Sequence, residues 1–233
     1  MKTLFFCLFM SVACQAAISQ DTNVVVINPA KQNEHELLKK KFQYPQFVAG
    51  RAFYRNENTT DSKFNYNYIT NSISFLTPKG DTLDLIQGED FSKITIGTDT
   101  FCYYKKQFIQ QVSHYATYNL FLKRSIEFNG YEKKGAYDSY SGTSATTSYK
   151  NYSTGTGGNV SLTPDENLFY AFKDYYFFSG KFGQFYPATK KGVYELFSKN
   201  EKQLKDFLEE NKTNFNKKED LEKLLTFAQS VLK

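Results

Sequence analysis

Ile73-Ser74-Phe75-Leu76-Thr77-Pro78-Lys79-Gly80-Asp81-Thr82-Leu83-Asp84-Leu85-Ile86 decides the fold class of this chain. Two short apolar runs flank a turn in which Pro78 presets φ and Gly80 accepts a positive φ, the chemistry of a hairpin. The device repeats downstream, where Lys93-Ile94-Thr95-Ile96 and Phe101-Cys102-Tyr103-Tyr104 flank Gly97-Thr98-Asp99. Upstream, Phe47, Ala49, Arg51, Phe53 and Arg55 alternate with Val48, Gly50, Ala52 and Tyr54. Phe64, Tyr66 and Tyr68 alternate with Asn65 and Asn67, giving one aromatic and one polar face, as in a half-buried strand. Phe108 to Val112 and Tyr118 to Phe128 continue the pattern, and Gly130 stops it. Short strands at regular intervals with turn residues between them predict an antiparallel meander.

Further out the patterns change. Val24-Val25-Val26-Ile27 reads as a short strand ended by Pro29, and 32–42 as a short helix with Leu37, Leu38 and Phe42 on one side. Tyr44-Pro45 then returns the chain to extended structure. Residues 135–163 are rich in Gly, Ser, Thr and Tyr, with few side chains able to pack, and predict a long flexible loop. Order resumes with Leu168 to Phe172 and Tyr175 to Phe178, a turn at Gly180 to Gly183, then Phe185-Tyr186. Helices follow. Ser198-x-x-Glu201 and Asn216-x-x-Glu219 read as capping pairs. Leu204, Phe207 and Leu208 form one apolar stripe, and Leu221, Leu224, Leu225, Ala228, Val231 and Leu232 another. The expected class is α+β, mainly an antiparallel β meander with a C-terminal helical segment. The expected divisions are a signal peptide at 1–19, an antiparallel β domain at 20–134, the flexible loop at 135–163, further strands completing the β domain at 164–186, and C-terminal helices at 187–233.

The leader expectation rests on Lys2, an apolar run from Leu4 to Val12 broken only by Ser11, and small residues at Ala13, Ala16, Ala17 and Ser19. The run is much shorter than the roughly 20 apolar residues that span a bilayer. It fits the core of a secretion signal, roughly 7–15 residues. Cleavage before Gln20 is preferred to cleavage before Ala17, because the chain turns polar there. Ser11-Val12-Ala13-Cys14 offers an alternative, a partial lipoprotein box with Cys14 as the lipidated residue. The expected address is the periplasm or the extracellular space, with an outer-membrane lipoprotein as the alternative and no transmembrane span after signal cleavage.

Composition narrows the function. Lys and Arg number 29 against 24 Asp and Glu, and without Lys2 the balance is 28 against 24. That mild, scattered excess argues against nucleic acid, which calls for a dense basic stripe; only Lys39-Lys40-Lys41 approaches one. Of three cysteines, two (Cys7 and Cys14) lie in the leader, so Cys102 would stand alone and no disulfide framework is expected. Cys102 reads as a small buried hydrophobe. With 23 Phe, 18 Tyr and no Trp, the core is expected to be aromatic. An outer-membrane barrel would need an even set of lipid-facing strands, and a chain closing on amphipathic helices does not suit it.

Catalytic patterns are sparse. The two histidines, His35 and His114, have no ligand partners at helical or strand spacing, and each is expected to be structural or superficial. Gly142-Thr143-Ser144-Ala145-Thr146 matches only the first half of a nucleophile elbow. Gly155-Thr156-Gly157-Gly158 lacks the Lys-Ser/Thr of a phosphate loop. The acidic pairs Asp81/Asp84 and Glu89/Asp90 cannot be placed in a cleft from sequence. Neither a cofactor nor a metal site is expected. Tyrosines are the suggestive feature: Tyr131, Tyr137, Tyr140, Tyr149 and Tyr152 punctuate the polar loop, and such rings offer contact area at low entropy cost. Tyr137, Tyr140, Tyr149 and Tyr152 are therefore the candidate ligand-binding residues, for a peptide or a sugar, although the absence of Trp weakens the sugar.

Gly50-Arg51-Ala52-Phe53-Tyr54-Arg55, Phe64-Asn65-Tyr66-Asn67, Pro78-Lys79-Gly80-Asp81, Gly135-Ala136-Tyr137 and the closing Phe215-x-x-x-Glu219-Asp220-Leu221 resemble a group of uncharacterised exported proteins of Bacteroidota-type bacteria. The resemblance implies a cell-envelope or secreted location, and carries over neither an activity nor catalytic residues. The expected function is that of an exported, non-enzymatic interaction or scaffold protein of the envelope, with a protein or glycan partner. The alternatives are a secreted or periplasmic hydrolase whose site is not recognisable from sequence, and a carbohydrate-binding module.

Overall fold

A computed structural model describes residues 24–85, 88–134, 139–142, 151–154, 158–161, 165–180 and 183–231, with the backbone alone at 140, 151–154, 158–161 and 199. The hairpin that opened the sequence reading forms β4 (Ser72–Leu76) and β5 (Thr82–Asp84), with Gly80 at φ 90°. The next forms β6 (Phe91–Ile96) and β7 (Asp99–Tyr104), turning at Gly97 with φ 57°. Before them lie β1 (Val24–Ile27), the single-turn helix α1 (His35–Lys39), β2 (Val48–Tyr54) and β3 (Thr59–Asn67). After them come β8 (Gln107–His114), β9 (Asn119–Lys134), β10 (Tyr140–Ser141), β11 (Asn151–Thr154), β12 (Gly158–Ser161), β13 (Glu166–Ser179) and β14 (Phe185–Pro187). Helices α2 (Lys190–Leu196), α3 (Glu201–Glu210) and α4 (Lys218–Val231) close the chain. The class is mostly antiparallel sheet with C-terminal helices.

The meander is not continuous. Spatial order is β1-β13-β9-β8-β7-β6-β2-β3-β4-β5, with β10 on β9, β14 on β13, and β11–β12 a separate pair. Two runs, β2 to β5 and β6 to β9, are joined by β2 pairing β6, and β13 returns beside β9. The sheet then rolls on itself. Past Gln110/Leu122 no β8–β9 pairs continue toward Gln107, and the β3–β4 turn fills the gap. Phe108 N donates to Asn71 O at 2.9 Å, Ile126 N to Tyr68 O at 2.9 Å, and Asn71 Nδ2 to Arg124 O at 2.9 Å.

The roll encloses one core of Ala52, Phe64, Tyr66, Ile73, Phe91, Ile94, Ile96, Phe101 and Phe108. It is largely aromatic, with Tyr66 stacked on Phe101 at 5.2 Å. A second core joins the helices to one end of β9 and β13 through Leu120, Phe178, Val193, Phe197, Leu204, Leu221, Leu224 and Leu225. Among the described residues, no helix is long and apolar enough to cross a membrane.

Several local expectations change. Asn65 and Asn67 are buried, so the polar face of β3 does not meet water. Each amide replaces water with backbone partners: Asn65 bonds Tyr44 N, Tyr44 O and Gln46 O, and Asn67 Oδ1 accepts from Ile69 N and Thr70 N. Helix α1 spans only His35–Lys39, and Leu38 is 60% exposed. Ser198 starts a 3₁₀ turn and does not cap α3 by side chain, whose N-cap is Asn200. At α4, Asp220 Oδ2 accepts from Asn214 N, where Asn216 and Glu219 were expected to cap. The helix with a built cap is α2, where Thr189 Oγ1 accepts from Gly192 N at 3.1 Å. Val231 is exposed, and Leu232 lies outside the described residues.

Candidate functional site

Across β6 to β9 the pairing register aligns Thr95, Thr100, Gln111 and Phe121 on the face opposite the roll's interior. Val112 is an extra residue in β8: Gln111 pairs Phe121, yet Ser113 pairs Leu120 and His114 pairs Asn119. That bulge matters because residues three apart on a regular strand point to opposite faces. Here Gln111 and His114 emerge on the same face, and both reach Asn119. Gln111 Nε2 donates to Asn119 Oδ1 at 2.9 Å, and His114 Nδ1 lies 2.5 Å from the same oxygen. An accepting amide oxygen at that distance suits an Nδ1–H donor. Asn119 Nδ2 in turn donates to Ser179 Oγ at 3.2 Å.

These side chains border an open cleft of about 430 Å³ lined by Thr98, Thr100, Gln111, Val112, Ser113 and His114. Hydroxyl, amide and imidazole groups line it beside Val112, and among the described residues no carboxylate, Lys or Arg does. Strand alternation sends Asp99, between the two threonines, to the opposite face, where Tyr44 Oη donates to its Oδ2. Gln43 Nε2 completes that cluster, reaching Asp99 at 3.4 Å and Gln110 at 3.3 Å. Burial, and then the Asp99 carboxylate, push the Tyr44 phenol up. The Arg124–Asp174 pair lies on this same interior-facing side, held by two 2.7 Å hydrogen bonds. These groups use their polar atoms on each other and hold the fold.

Aromatic rings flank the cleft. Phe121 and Ile109 are buried on the cleft's face, under Tyr104, Phe177 and Phe185. Phe185 meets Phe121 and Tyr104 at 4.9 Å each, and Tyr104 meets Phe177 at 5.5 Å. Cys102 shares this face and is half-buried, and burial pushes its thiol up, away from the reactive thiolate.

The bulge also decides what Ser113 can do. Its Oγ bonds Glu222 of α4, on the helix side of the sheet, while the His114 imidazole lies on the cleft side against Asn119. A serine nucleophile needs its base within hydrogen-bond reach, and these two adjacent residues point apart. The Asp84 carboxylate bonds the Ser74 hydroxyl, and the Glu89 carboxylate bonds the Tyr103 phenol. Among the described residues, no three His, Cys, Asp or Glu side chains gather as a metal site. A larger groove of about 720 Å³ runs along β3 and β4, lined by Thr60, Asp61, Ser62, Lys63 and Thr77 beside Phe75, Leu76 and Pro78, with Asp61 held by Arg51 and the Ser62 hydroxyl by Leu76 O.

The four tyrosines singled out as ligand-binding candidates are outside the described residues or placed by backbone alone. Cys14, Tyr137 and Tyr149 lie outside the described residues, as do most of the half-elbow and the Gly155 tract. Tyr140 sits in β10 opposite Lys134, and Tyr152 in β11 opposite Val160, both placed by backbone alone. Tyr131 and Phe128 are 48% and 52% exposed on the far part of β9. Phe128 and Tyr170 meet edge to face at 71°, so this pair offers no flat platform. The sequence reading named His114 as structural or superficial and did not place it beside Gln111, since no residue type announces the bulge at Val112. The chain matches no protein-family model, no curated protein and no solved structure.

Proposed function

We propose that the protein is an exported, non-enzymatic binding or scaffold protein of the cell envelope, and that the cleft at the β8 bulge is its contact site. One observation carries the binding role: the bulge directs Gln111 and His114 together into an open cleft of neutral hydrogen-bonding groups while turning Ser113 away to Glu222. Groups already held by neighbours are pre-organised, which lowers the ordering cost of binding. Export is supported by the leader pattern around Lys2 and Leu4 to Val12, and by the resemblance to exported Bacteroidota-type proteins. Lipidation at Cys14 is the alternative mode of attachment.

The test uses the full chain in its native host, with a photo-crosslinking amino acid at Thr98, an exposed position on the cleft rim. The expected outcome is an envelope-fraction protein whose intact mass begins at Gln20, and which gives discrete light-dependent adducts. Cytosolic protein beginning at Met1 would sink export, and the absence of adducts at Thr98 would sink the binding role. A mass beginning at a lipidated Cys14 would replace the soluble form with the tethered one.

A further inference from the structure

We infer that this cleft binds a neutral, hydroxyl-rich ligand, namely a saccharide, through Thr98, Thr100, Gln111 and His114. The inference rests on the binding role proposed above and adds the chemistry of what is bound. Each lining group speaks for that class. Thr98 and Thr100 each offer a hydroxyl that donates and accepts, which suits a partner that does both. Gln111 has committed Nε2 to Asn119, which leaves its amide oxygen to accept from a ligand hydroxyl. His114 has committed Nδ1 to the same Asn119 oxygen, which leaves Nε2 as its remaining polar atom. An oriented amide oxygen and a held imidazole beside two adaptable hydroxyls match the alternating donor and acceptor character of a sugar's edge.

Charge selects in the same direction. Among the described residues, the lining contains no Lys or Arg to recognise phosphate, sulfate or uronate, and no carboxylate to hold a cation. Asp99 is turned to the other face and engaged by Tyr44, and Glu222 is engaged by Ser113. Tyr104, Phe177 and Phe185, packed over the buried Phe121, border the polar row, because Gln111 pairs Phe121 and Ser179 pairs Phe185 in register. Sugars combine hydroxyl edges with apolar C–H faces, and aromatic rings beside a polar row can meet both. The cleft of about 430 Å³ lies within the size range of small-molecule sites, roughly 300–1,000 Å³.

The experiment is an amide and imidazole NMR titration of the full-length processed protein. The probes are neutral hexasaccharides of glucose, mannose, xylose and N-acetylglucosamine, with hexagalacturonate as the anionic comparison. At least one neutral probe is expected to shift Thr98, Thr100, Gln111 and His114 together, and hexagalacturonate is not. A Thr100→Ala/Gln111→Ala double variant is expected to lose about tenfold or more in affinity. Lys79→Ala, on the distant β4–β5 turn, is expected to bind as the parent does. If the double variant melts early, Thr98→Ala alone, on the exposed rim, serves as the second variant, with a loss of a few fold. Three outcomes overturn the inference: no neutral probe shifts these residues, only hexagalacturonate does, or affinity is unchanged in the variants. If Thr98 crosslinks to an envelope protein while no neutral glycan perturbs the cleft, the binding role stands and the saccharide falls.

Discussion

Tyr66 carries a phenol into the middle of the rolled sheet, where its hydroxyl donates to Phe108 O at 3.0 Å and accepts from Asn71 Nδ2 at 3.0 Å. Tyr66→Phe removes both bonds inside a buried core and should cost about 1–3 kcal/mol at neutral pH, read as a lower urea midpoint. The same residue predicts a pH dependence. Burial is the main cause pushing the phenols of Tyr44, Tyr66 and Tyr68 above their ordinary value of 10.0. An acid whose folded pKa is raised favours folding in its neutral form. Its contribution is whole below the unfolded pKa and is lost as pH rises toward the folded one. Stability should therefore be level from neutral pH to about 10 and then fall, by up to about 1.4 kcal/mol per pH unit for each phenol still neutral in the fold. In Tyr66→Phe the decline should be shallower by one proton; a decline parallel to the parent's would show that Tyr66 does not drive it. At this scale the sequence was half legible. Alternation placed Phe64, Tyr66 and Tyr68 on one face, but the same alternation put Asn65 and Asn67 in water, when they are buried against backbone. A period of two separates faces, and it does not report that chain segments 41–46 and 68–71 cover both.

Strand and helix existence followed from turn chemistry and apolar spacing, and the departures occur where tertiary contacts overrule local pattern. Gly50 reads as one position in an alternating strand, but a Cβ built there would lie 2.1 Å from Thr95 O, so β2 and β6 approach as only glycine allows. Gly50→Ala should force that pair apart and cost about 1–3 kcal/mol or more, seen as a lower melting temperature with faster exchange of β2 and β6 amides. The C-terminal stripes give a paired test. Leu224 is fully buried in the helix core, and Leu224→Ala should cost about 2–5 kcal/mol. Leu38, assigned by the same spacing rule to a packed side, is largely exposed, and Leu38→Ala should stay within about 0.5 kcal/mol of the parent. The rule succeeds on α4 because fourteen residues give it several turns to act over, and fails on α1, whose five residues barely complete one. The cleft at the β8 bulge was hidden for an element-level reason too. His114 and Gln111 meet only because Val112 is unpaired, and bulges leave no fixed signature in residue type.

Two cores share one set of strands, and that sharing determines how the whole molecule should unfold. β8 contributes Phe108 to the core of the roll and Val112 to the helix-covered core. β9 gives Leu120 to the helices, and three residues beyond Phe121 its Arg124 carbonyl accepts from Asn71 of the turn that closes the roll. Ser113 adds a direct tie between the bulge and α4 through Glu222. Separating helices from sheet would expose Leu120 and Phe178, and opening the roll would leave the backbone of β8 and β9 without the partners supplied by Tyr68 and Asn71. Neither half has a self-contained set of strands to fall back on. Urea unfolding should therefore give one transition, with far-ultraviolet circular dichroism, which weighs the helices, and the amide NMR signals of Phe64, Ile94 and Phe101, which report the roll, tracing the same midpoint. Leu224→Ala and Tyr66→Phe, one in each core, should each move both curves together. Curves that part company in either variant, with only the helical signal moving in Leu224→Ala, would show that the C-terminal helices unfold as an independent unit and that the shared strands do not couple the two cores.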